Sequence, residues 1–541
     1  MNNAIDLVII ATYLALIVSL GVWVGVRGRR GSHDSARNYF LASGKLRWPV
    51  IGLALFSTNI STIHLVAFAQ EGFVNGLAYG NFEWMAAFTL IILSLFFVPF
   101  YIRAKVTTLP DFLEKRYNGT CRDMLAVISV FSAVFIHIGF SLYTGGIVLN
   151  GMFGIPLPIS IIAICGLVGL YTVLGGLSSV VITEAIETVV LLVGAVIITV
   201  ICFVKLGGWQ ELVDHVEPVK LTIIRPHGDS SGLPWYAVLL GYPVIGIWYW
   251  CADQTIVQRV LGAKDENHAR IGPLFAGFVK ILPVLLFVLP GLMCYALVQN
   301  GTLDIAGMAV GDDGKPDTQD TYAFMIRELL PTGVKGVITA ALLAALMGTV
   351  AGALNSVSTL VSYDLVKRWR PATDERTLVR VGRMTALFTV VLAVVWSLQL
   401  GRYESIFQGV SALICYVAPP ITAVFLWGVF WKRASGTAAA VTLSLGSALG
   451  FTVFLLDWFK ESTGWNVPFL MAAFYLFVIC SVILAVVSLI VPHRHTQESA
   501  KLVWANPLEA VSTPGWPGLA DYRVIAALLF VTMLALYWFF R

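Results

Sequence analysis

The chain has 541 residues, of which 58% are hydrophobic and 12% are charged, and its formal net charge at pH 7 is +4. Because about a quarter of the residues in a globular domain are charged, this composition excludes an ordinary soluble protein and indicates a polytopic membrane protein. The basic residues are too dispersed to suggest nucleic-acid binding. The seven cysteines show no CxxC spacing, which argues against a structural metal or a disulfide framework.

Apolar stretches of about twenty residues, the length with which a helix crosses ~30 Å of hydrocarbon, recur along the whole chain. We predict an all-α protein of about fourteen transmembrane helices, the first of them retained rather than cleaved as a signal peptide. Their approximate cores are 6–26, 48–72, 79–102, 123–150, 156–174, 178–204, 235–256, 271–298, 333–363, 384–400, 405–430, 436–457, 466–491 and 523–540.

Lysine and arginine collect in alternate loops, a distribution typical of loops that remain in the cytoplasm. The clusters follow the first, third, seventh, ninth and eleventh predicted helices and include Arg27, Arg29, Arg103, Arg259 and Lys367. With an even number of helices, this pattern predicts that both termini lie on the extracytoplasmic side of a plasma or inner membrane.

Two predicted helices contain residues that interrupt a regular helix. The second carries the polar run 57–62, and the seventh carries Gly241, Pro243 and Gly246. Polar side chains can bond to opened backbone and proline removes a backbone donor, so we expect both helices to open at these points. Such residues are also frequent in ordinary membrane helices, but these two segments lie five helices apart, as in transporters built from inverted repeats.

The predicted organisation is therefore a five-plus-five inverted repeat with one extra helix before it and three after it. In such proteins the substrate site lies near the middle of the membrane, between the interrupted helices. An extra N-terminal helix and a basic cytoplasmic loop occupy 1–47, the first repeat 48–204, an extracytoplasmic loop 205–234, the second repeat 235–430, and peripheral C-terminal helices 431–541.

Ionisable residues within membrane helices are functional candidates by default. Glu83 and Lys280 both lie in apolar segments, and they could meet across the bundle either as a structural ion pair or as two walls of a polar pocket. A pocket that combines a carboxylate, an ammonium, an imidazole and an amide with the aromatic run 248–250 would suit the hydroxyls and the C–H face of a neutral polyol.

Small residues are closely spaced in the ninth predicted helix, within ALLAALMGTVAGALNS. They include Ala345 and Gly348, next to the hydroxyl of Thr349. Small residues allow tight helix packing, and they also leave room for a hard cation held by backbone carbonyls and a hydroxyl. The two interpretations are compatible.

Several motifs are spread over most of the chain: FEWMA, WYWCADQTIVQRVLGAK, FVKILPVLLFVLPG, LNSVSTLVSYDL and YVAPPITAVFLWGVFWKR. They resemble the sodium:solute symporter family and, within it, the sodium/glucose cotransporters. The resemblance implies a LeuT-like fold, Na⁺ as the coupling ion and no enzymatic activity. It also implies a substrate site at Asn59, His64, Glu83, Tyr249, Trp250 and Lys280, and a sodium site at the carbonyls of Ser57, Ile60 and Ala345 with the Thr349 hydroxyl.

The sequence departs from the family pattern at several of these positions. A second hydroxyl of the sodium motif is replaced by Gly348, and a serine of the family's second sodium site is replaced by Gly352. The two departures predict one sodium ion per cycle rather than two. A polar position of the seventh helix is Gly246, and a glutamine of the eleventh helix that binds sugar in relatives is Ser411. Gln408 lies on nearly the same helical face as Ser411 and is a possible substitute.

We therefore predict a sodium-coupled symporter that imports a hexose such as glucose or galactose across the lipid bilayer by alternating access, as a monomer. One alternative is a different solute, such as inositol or an anionic sugar, or coupling to protons through Glu83. Another is a sensor that binds solute without transporting it, against which the lack of a cytoplasmic output domain argues.

Overall fold

The computed structural model describes residues 4–29, 46–106, 108–175, 177–311, 314–403, 405–492 and 496–541. Within these ranges the regular secondary structure is helical, and β-structure is limited to isolated bridges such as that between Leu46 and Ala263. This result confirms the predicted all-α fold class. Most of the basic loop predicted within 1–47 lies outside the described residues.

The first half of the described chain contains ten α-helices. They are α1 (Ala4–Arg29), α2 (Trp48–Asn59), α3 (Thr62–Asn75), α4 (Asn81–Ile92), α5 (Val98–Arg103), α6 (Leu109–Arg116), α7 (Gly119–Ser132), α8 (Gly139–Phe153), α9 (Leu157–Gly175) and α10 (Leu177–Leu206). Short π-helical segments, Leu93–Phe97 and Ala133–Ile138, join α4 to α5 and α7 to α8.

The second half begins with the short α11 in the predicted extracytoplasmic loop. Its helices are α11 (Trp209–Asp214), α12 (Trp235–Ile247), α13 (Gln254–Leu261), α14 (Glu266–Val279), α15 (Leu289–Gln299), α16 (Thr321–Leu329), α17 (Val334–Thr359), α18 (Glu375–Ser397) and α19 (Ile406–Phe430). The last five are α20 (Gly436–Trp458), α21 (Lys460–Thr463), α22 (Phe469–Ile490), α23 (Gln497–Ala500) and α24 (Tyr522–Phe539). Three further π-helical segments are Trp248–Ala252, Val284–Val288 and Leu360–Lys367.

Eleven helices among the described residues are long and apolar enough to cross a membrane. One of these runs, Thr62–Arg103, spans parts of two predicted segments. Among the residues that the structure describes, the first and fifth predicted segments contribute the shorter apolar stretches Ala4–Leu20 and Leu157–Gly166. The structure therefore supports a multi-pass membrane protein, and the count of fourteen stays a prediction.

The second predicted helix opens where the polar run predicted it would. The helix α2 ends at Asn59, Ile60 and Ser61 have extended backbone, and α3 begins at Thr62. The hydroxyl of Thr62 donates a hydrogen bond of 2.9 Å to the carbonyl of Leu342 in α17. The break is thus bonded to α17, the helix that carries the predicted sodium residues Ala345, Gly348 and Thr349.

The prediction that the seventh helix opens at Gly241, Pro243 and Gly246 is wrong. The helix α12 runs through Pro243 and continues into the π-helical segment Trp248–Ala252. Gly241 instead allows close packing, because a Cβ there would lie 2.1 Å from the Leu470 carbonyl oxygen of α22. The opening comes later, at Asp253, whose extended backbone starts α13 and whose carboxylate accepts a hydrogen bond of 2.8 Å from Thr255 N.

Candidate functional site

A cavity of 670 Å³ lies between the interrupted helices α2–α3 and α12–α13 on one side and α4, α17 and α19 on the other sides. The rings of Phe68, Phe82 and Phe407 line one end of it. It extends from there to Leu46, Thr108 and Gly262, which lie next to the loops predicted to be cytoplasmic. The volume falls in the range of small-molecule sites, roughly 300–1,000 Å³.

The Glu83 carboxylate and the Lys280 ammonium form an ion pair on the wall of this cavity. Lys280 also donates a hydrogen bond to Asn59 Oδ1, and Asn59 Nδ2 donates one of 3.0 Å to the hydroxyl of Tyr249. The Lys280 Nζ atom lies 5.4 Å from the centre of the Trp250 ring. Five of the predicted substrate residues are therefore in one continuous group, and the pair is both an ion pair and part of a polar pocket.

Breaks in regular helix place these side chains. Asn59 is the last residue of α2, and Lys280 follows α14 at a turn that precedes the π-helical segment Val284–Val288. Glu83 lies in the first turn of α4, and the neighbouring Trp84 Nε1 contacts the Ile281 carbonyl at 3.5 Å. The two charged groups thus come from segments that are also joined by a contact between the Trp84 side chain and the Ile281 carbonyl.

His64 lies in the first turn of α3 and also lines the cavity. Its Nδ1 accepts a hydrogen bond of 3.3 Å from the backbone N–H of Ser61, and the Ser61 hydroxyl lies 3.1 Å from the same atom. Because Nδ1 is an acceptor here, the neutral imidazole carries its proton on Nε2. His64 therefore bonds back to Ser61 at the break between α2 and α3, and its other ring nitrogen, Nε2, remains as an N–H donor.

Four of the five predicted sodium positions line the cavity. They are Ser57, Ile60, Ala345 and Thr349. The Thr349 hydroxyl donates a hydrogen bond of 2.9 Å to the Ala345 carbonyl within α17. The fifth position, Gly348, is buried and does not line the cavity. Carbonyl and hydroxyl oxygens are suitable ligands for a hard cation.

The structure separates the two alternatives on α19. Ser411 lines the cavity and is buried. Gln408 does not line it, and its side chain lies close to the hydroxyl of Tyr79, which donates a hydrogen bond of 3.1 Å to the Ser231 carbonyl. Of the two candidates, Ser411 is thus the one on the cavity lining, and a role of Gln408 in substrate binding stays a prediction.

Those rings close the cavity at the end opposite Gly262. The Phe407 ring lies 4.6 Å from the rings of Phe68 and Phe82 and 5.6 Å from that of Tyr79. The sequence does not indicate a role for these rings, since aromatic side chains occur throughout the chain and nothing in their spacing brings position 407 to positions 68 and 82.

A polar cluster links the start of α19 to α3 near the same rings. Glu71 is buried, and its carboxylate accepts hydrogen bonds from Asn75 Nδ2, at 2.6 Å, and from the Ser405 hydroxyl. Ser405 also caps α19, because its oxygen accepts a bond of 3.1 Å from Phe407 N. The first turn of α19 therefore carries both Ser405, which bonds to Glu71, and Phe407, whose ring contacts Phe68 and Phe82.

Comparison with known proteins gives consistent matches. The family model described as the sodium:solute symporter family matches residues 39–446. The sodium/mannose cotransporter of Bos taurus is 32% identical over 540 residues, which cover 93% of this chain and 89% of the relative. The sodium/glucose cotransporter 2 of Rattus norvegicus is 33% identical and the sodium/myo-inositol cotransporter 2 of Oryctolagus cuniculus is 32% identical, over 85% and 84% of this chain and 72% and 70% of the relatives.

A solved structure supports the fold. A Na⁺-coupled sialic acid symporter in a substrate-bound outward-open state superposes with a TM-score of 0.74, over 91% of this chain and 100% of that chain. The two sequences are 20% identical, so this likeness concerns the fold alone. Together with the family match, it confirms the LeuT-like inverted-repeat architecture implied by the motifs.

Proposed function

Because the chain belongs to the sodium:solute symporter family and uses Na⁺ as its coupling ion, we propose that it imports a hexose or a related neutral polyol. One observation carries the proposal. Lys280, Glu83, Asn59 and the Tyr249 hydroxyl form a continuous hydrogen-bonded group on the wall of one cavity, beside the Trp250 ring.

This group has the chemistry that vicinal hydroxyls require. A hydroxyl both donates and accepts, and the group offers carboxylate and amide oxygens as acceptors next to ammonium, amide and imidazole donors. The aromatic face of Trp250 or Tyr249 can cover the C–H side of a sugar ring. Binding of this kind needs no covalent chemistry, which agrees with a transporter rather than an enzyme.

The charges in the pocket favour a neutral substrate. The Lys280 and Glu83 charges compensate each other within the ion pair. An anionic sugar would have to compete with Glu83 for the Lys280 ammonium and would leave the carboxylate buried without its partner, which is strongly unfavourable. Relatives named for mannose, glucose and myo-inositol are consistent with neutral polyols, and a hexose is the substrate we propose first.

The proposed sodium site is formed by the carbonyls of Ser57, Ile60 and Ala345 and the hydroxyl of Thr349. Sodium there would connect the break between α2 and α3 to α17. One ion per cycle is proposed because Gly348 and Gly352 add no oxygen ligand from a side chain. Inward movement of Na⁺ supplies the free energy, with about 2.3 kcal/mol per charge for each 100 mV of membrane potential.

Transport would proceed by alternating access in a plasma or inner membrane. The cavity reaches Gly262, beside the loops proposed to be cytoplasmic, while Phe68, Phe82 and Phe407 close the other end. This geometry corresponds to an inward-facing state if both termini are extracytoplasmic, as proposed from the loop charges. A monomer contains the whole pocket, so no second copy is required.

Uptake by purified protein in liposomes tests the proposal. Labelled glucose, galactose, mannose and myo-inositol are each offered with an inward Na⁺ gradient, with an inward proton gradient, and with no gradient. Accumulation of a hexose driven by Na⁺ supports the proposal. A preference for myo-inositol would replace the hexose as the proposed substrate. Accumulation driven by protons alone would overturn Na⁺ as the coupling ion, and saturable binding without accumulation would favour a sensor.

A further inference from the structure

Tyr242 lies in the wall of the cavity between α12 and α4, and no sequence motif assigned it a role. Its side chain is buried, and its hydroxyl donates a hydrogen bond of 2.9 Å to the carbonyl of Phe82. Its ring meets the Phe82 ring edge-on at 5.8 Å. Since Phe82 directly precedes Glu83, this bond fixes the backbone that presents the carboxylate.

The Tyr242 hydroxyl also lies close to the side chains of Trp250 and Thr89. Trp250 is the residue whose ring packs against Lys280. One hydroxyl group therefore bonds to the backbone next to Glu83 and lies close to the indole beside Lys280.

Gly246, one turn further along α12, makes the position of this ring possible. A Cβ at residue 246 would lie 2.8 Å from Tyr242 Cε1 and 2.7 Å from Thr89 Cγ2, both closer than real Cβ contacts allow. The side chain missing from position 246 therefore leaves no vacancy, because the tyrosine ring and the threonine methyl fill the space. A substrate that reaches this wall meets the edge of the Tyr242 ring.

We infer that Tyr242 is a positioning residue of the substrate pocket. Its hydroxyl holds the backbone next to Glu83 in the arrangement that receives substrate hydroxyls, and its ring, seated over Gly246, sets the width of the pocket on the α12 side. This arrangement favours a hexose or cyclitol that turns a C–H face to α12. The substrate part rests on the proposed function, whereas the positioning of Glu83 is a property of the protein alone.

The variant Tyr242→Phe keeps the ring and removes the hydroxyl. Loss of a hydrogen bond worth about 1.4 kcal/mol corresponds to about tenfold, so we expect KM for the transported polyol to rise about tenfold with Vmax within about twofold. Tyr236→Phe is the matched control, because it lies on the same helix and its hydroxyl contacts only the ring of His227, at 3.2 Å, in the described residues. An unchanged KM in Tyr242→Phe overturns the inference.

The close packing of Tyr242 and Thr89 against Gly246 gives a second test in the same assay. In Gly246→Ala the new methyl group must displace the Tyr242 ring or Thr89, so KM should rise as in Tyr242→Phe. The double variant should be no worse than the more impaired single variant, because both changes disturb one arrangement. Effects on KM that multiply independently contradict the shared arrangement.

A measurement without substrate separates this inference from the proposed function. Thermal unfolding is followed in detergent for wild type, Tyr242→Phe, Glu83→Gln and the double variant. If the tyrosine positions Glu83, the Tm shifts are not additive, and additive shifts overturn the inference. Wild-type protein that accumulates no polyol contradicts the proposed function, and the unfolding cycle still decides the role of Tyr242.

Discussion

The Lys280 ammonium contacts the Glu83 carboxylate inside the apolar bundle, where the two residues are only 1% and 2% exposed. Neither charge would be stable there alone, since removal of one partner of a buried pair typically costs about 3–5 kcal/mol. The pair can nevertheless serve a substrate, because it lines the cavity and lies within hydrogen-bonding distance of Asn59. Its stability role and its binding role can be separated by substitution.

Glu83→Gln is expected to abolish sugar accumulation and to lower the yield of folded protein, because Lys280 then keeps its charge without a carboxylate. Adding Lys280→Met should restore most of the folded yield and the Tm, but not transport, since both polar partners of the substrate are then missing. Size-exclusion profiles, thermal unfolding and liposome uptake measure the three effects. Glu461→Gln, at an exposed glutamate of α21, is the control. Normal uptake by Glu83→Gln would contradict the proposed contact with substrate.

The interrupted helices show what the sequence could and could not predict. The break at Ile60 was predictable because hydroxyl and amide side chains surround it within an apolar segment. The second break was placed too early, since Pro243 costs α12 one backbone hydrogen bond without opening it. Asp253 opens the chain instead by capping α13, a local interaction that the more conspicuous proline obscured.

The site shows a similar division. Glu83 and Lys280 were predictable as partners because charged residues in apolar segments are few and need compensation. Tyr242 and Phe407 were not predictable, because a tyrosine or phenylalanine in a membrane helix is ordinary and its role depends on contacts between distant segments. The position of the Gln408 side chain close to Tyr79 likewise depends on packing between distant segments. Helical spacing alone indicated only that Gln408 shares a face with Ser411.

Thr349→Ala is expected to raise the Na⁺ concentration for half-maximal uptake by about tenfold, the effect of about 1.4 kcal/mol from one lost oxygen ligand. Thr349→Ser, which keeps the hydroxyl, should behave nearly as wild type. Thr452→Ala is a matched control, because the Thr452 hydroxyl also donates 2.9 Å to a carbonyl four residues earlier but lies on an exposed face of α20. Equal Na⁺ dependence in Thr349→Ala and wild type would exclude this hydroxyl from the sodium site.

Ser411→Ala and Gln408→Ala distinguish the two candidates on α19. Ser411 lines the cavity, so its loss should raise the KM for sugar about fivefold, as expected for a neutral hydrogen bond of about 1 kcal/mol. Gln408 contacts Tyr79 outside the cavity, so its loss should leave KM within about twofold. Uptake over a range of sugar concentrations measures both. A larger KM effect in Gln408→Ala would mean that its amide turns into the pocket during the cycle.

The bond between Ser405 and Glu71 predicts how the closed end of the cavity opens. Movement of the first turn of α19 away from α3 must break this bond and separate Phe407 from Phe68. Because an intramolecular hydrogen bond contributes about 0.5–1.5 kcal/mol, Glu71→Ala should shift the conformational equilibrium toward opening of this end by about 2- to 10-fold. Glu71→Gln, which retains an acceptor for Ser405, should cause a smaller shift.

Labelling of a cysteine at the opposite end measures this shift. In a Cys165→Ser background, the other cysteines of the described chain are buried, and Gly262→Cys places a thiol on the cavity lining. Opening of the Phe407 end should close the Gly262 end under alternating access, so Glu71→Ala should slow maleimide labelling in the absence of Na⁺ and sugar. Glu498→Ala, at an exposed glutamate of α23, is the control. Unchanged or faster labelling in Glu71→Ala would show that the Glu71–Ser405 bond does not hold the closed end.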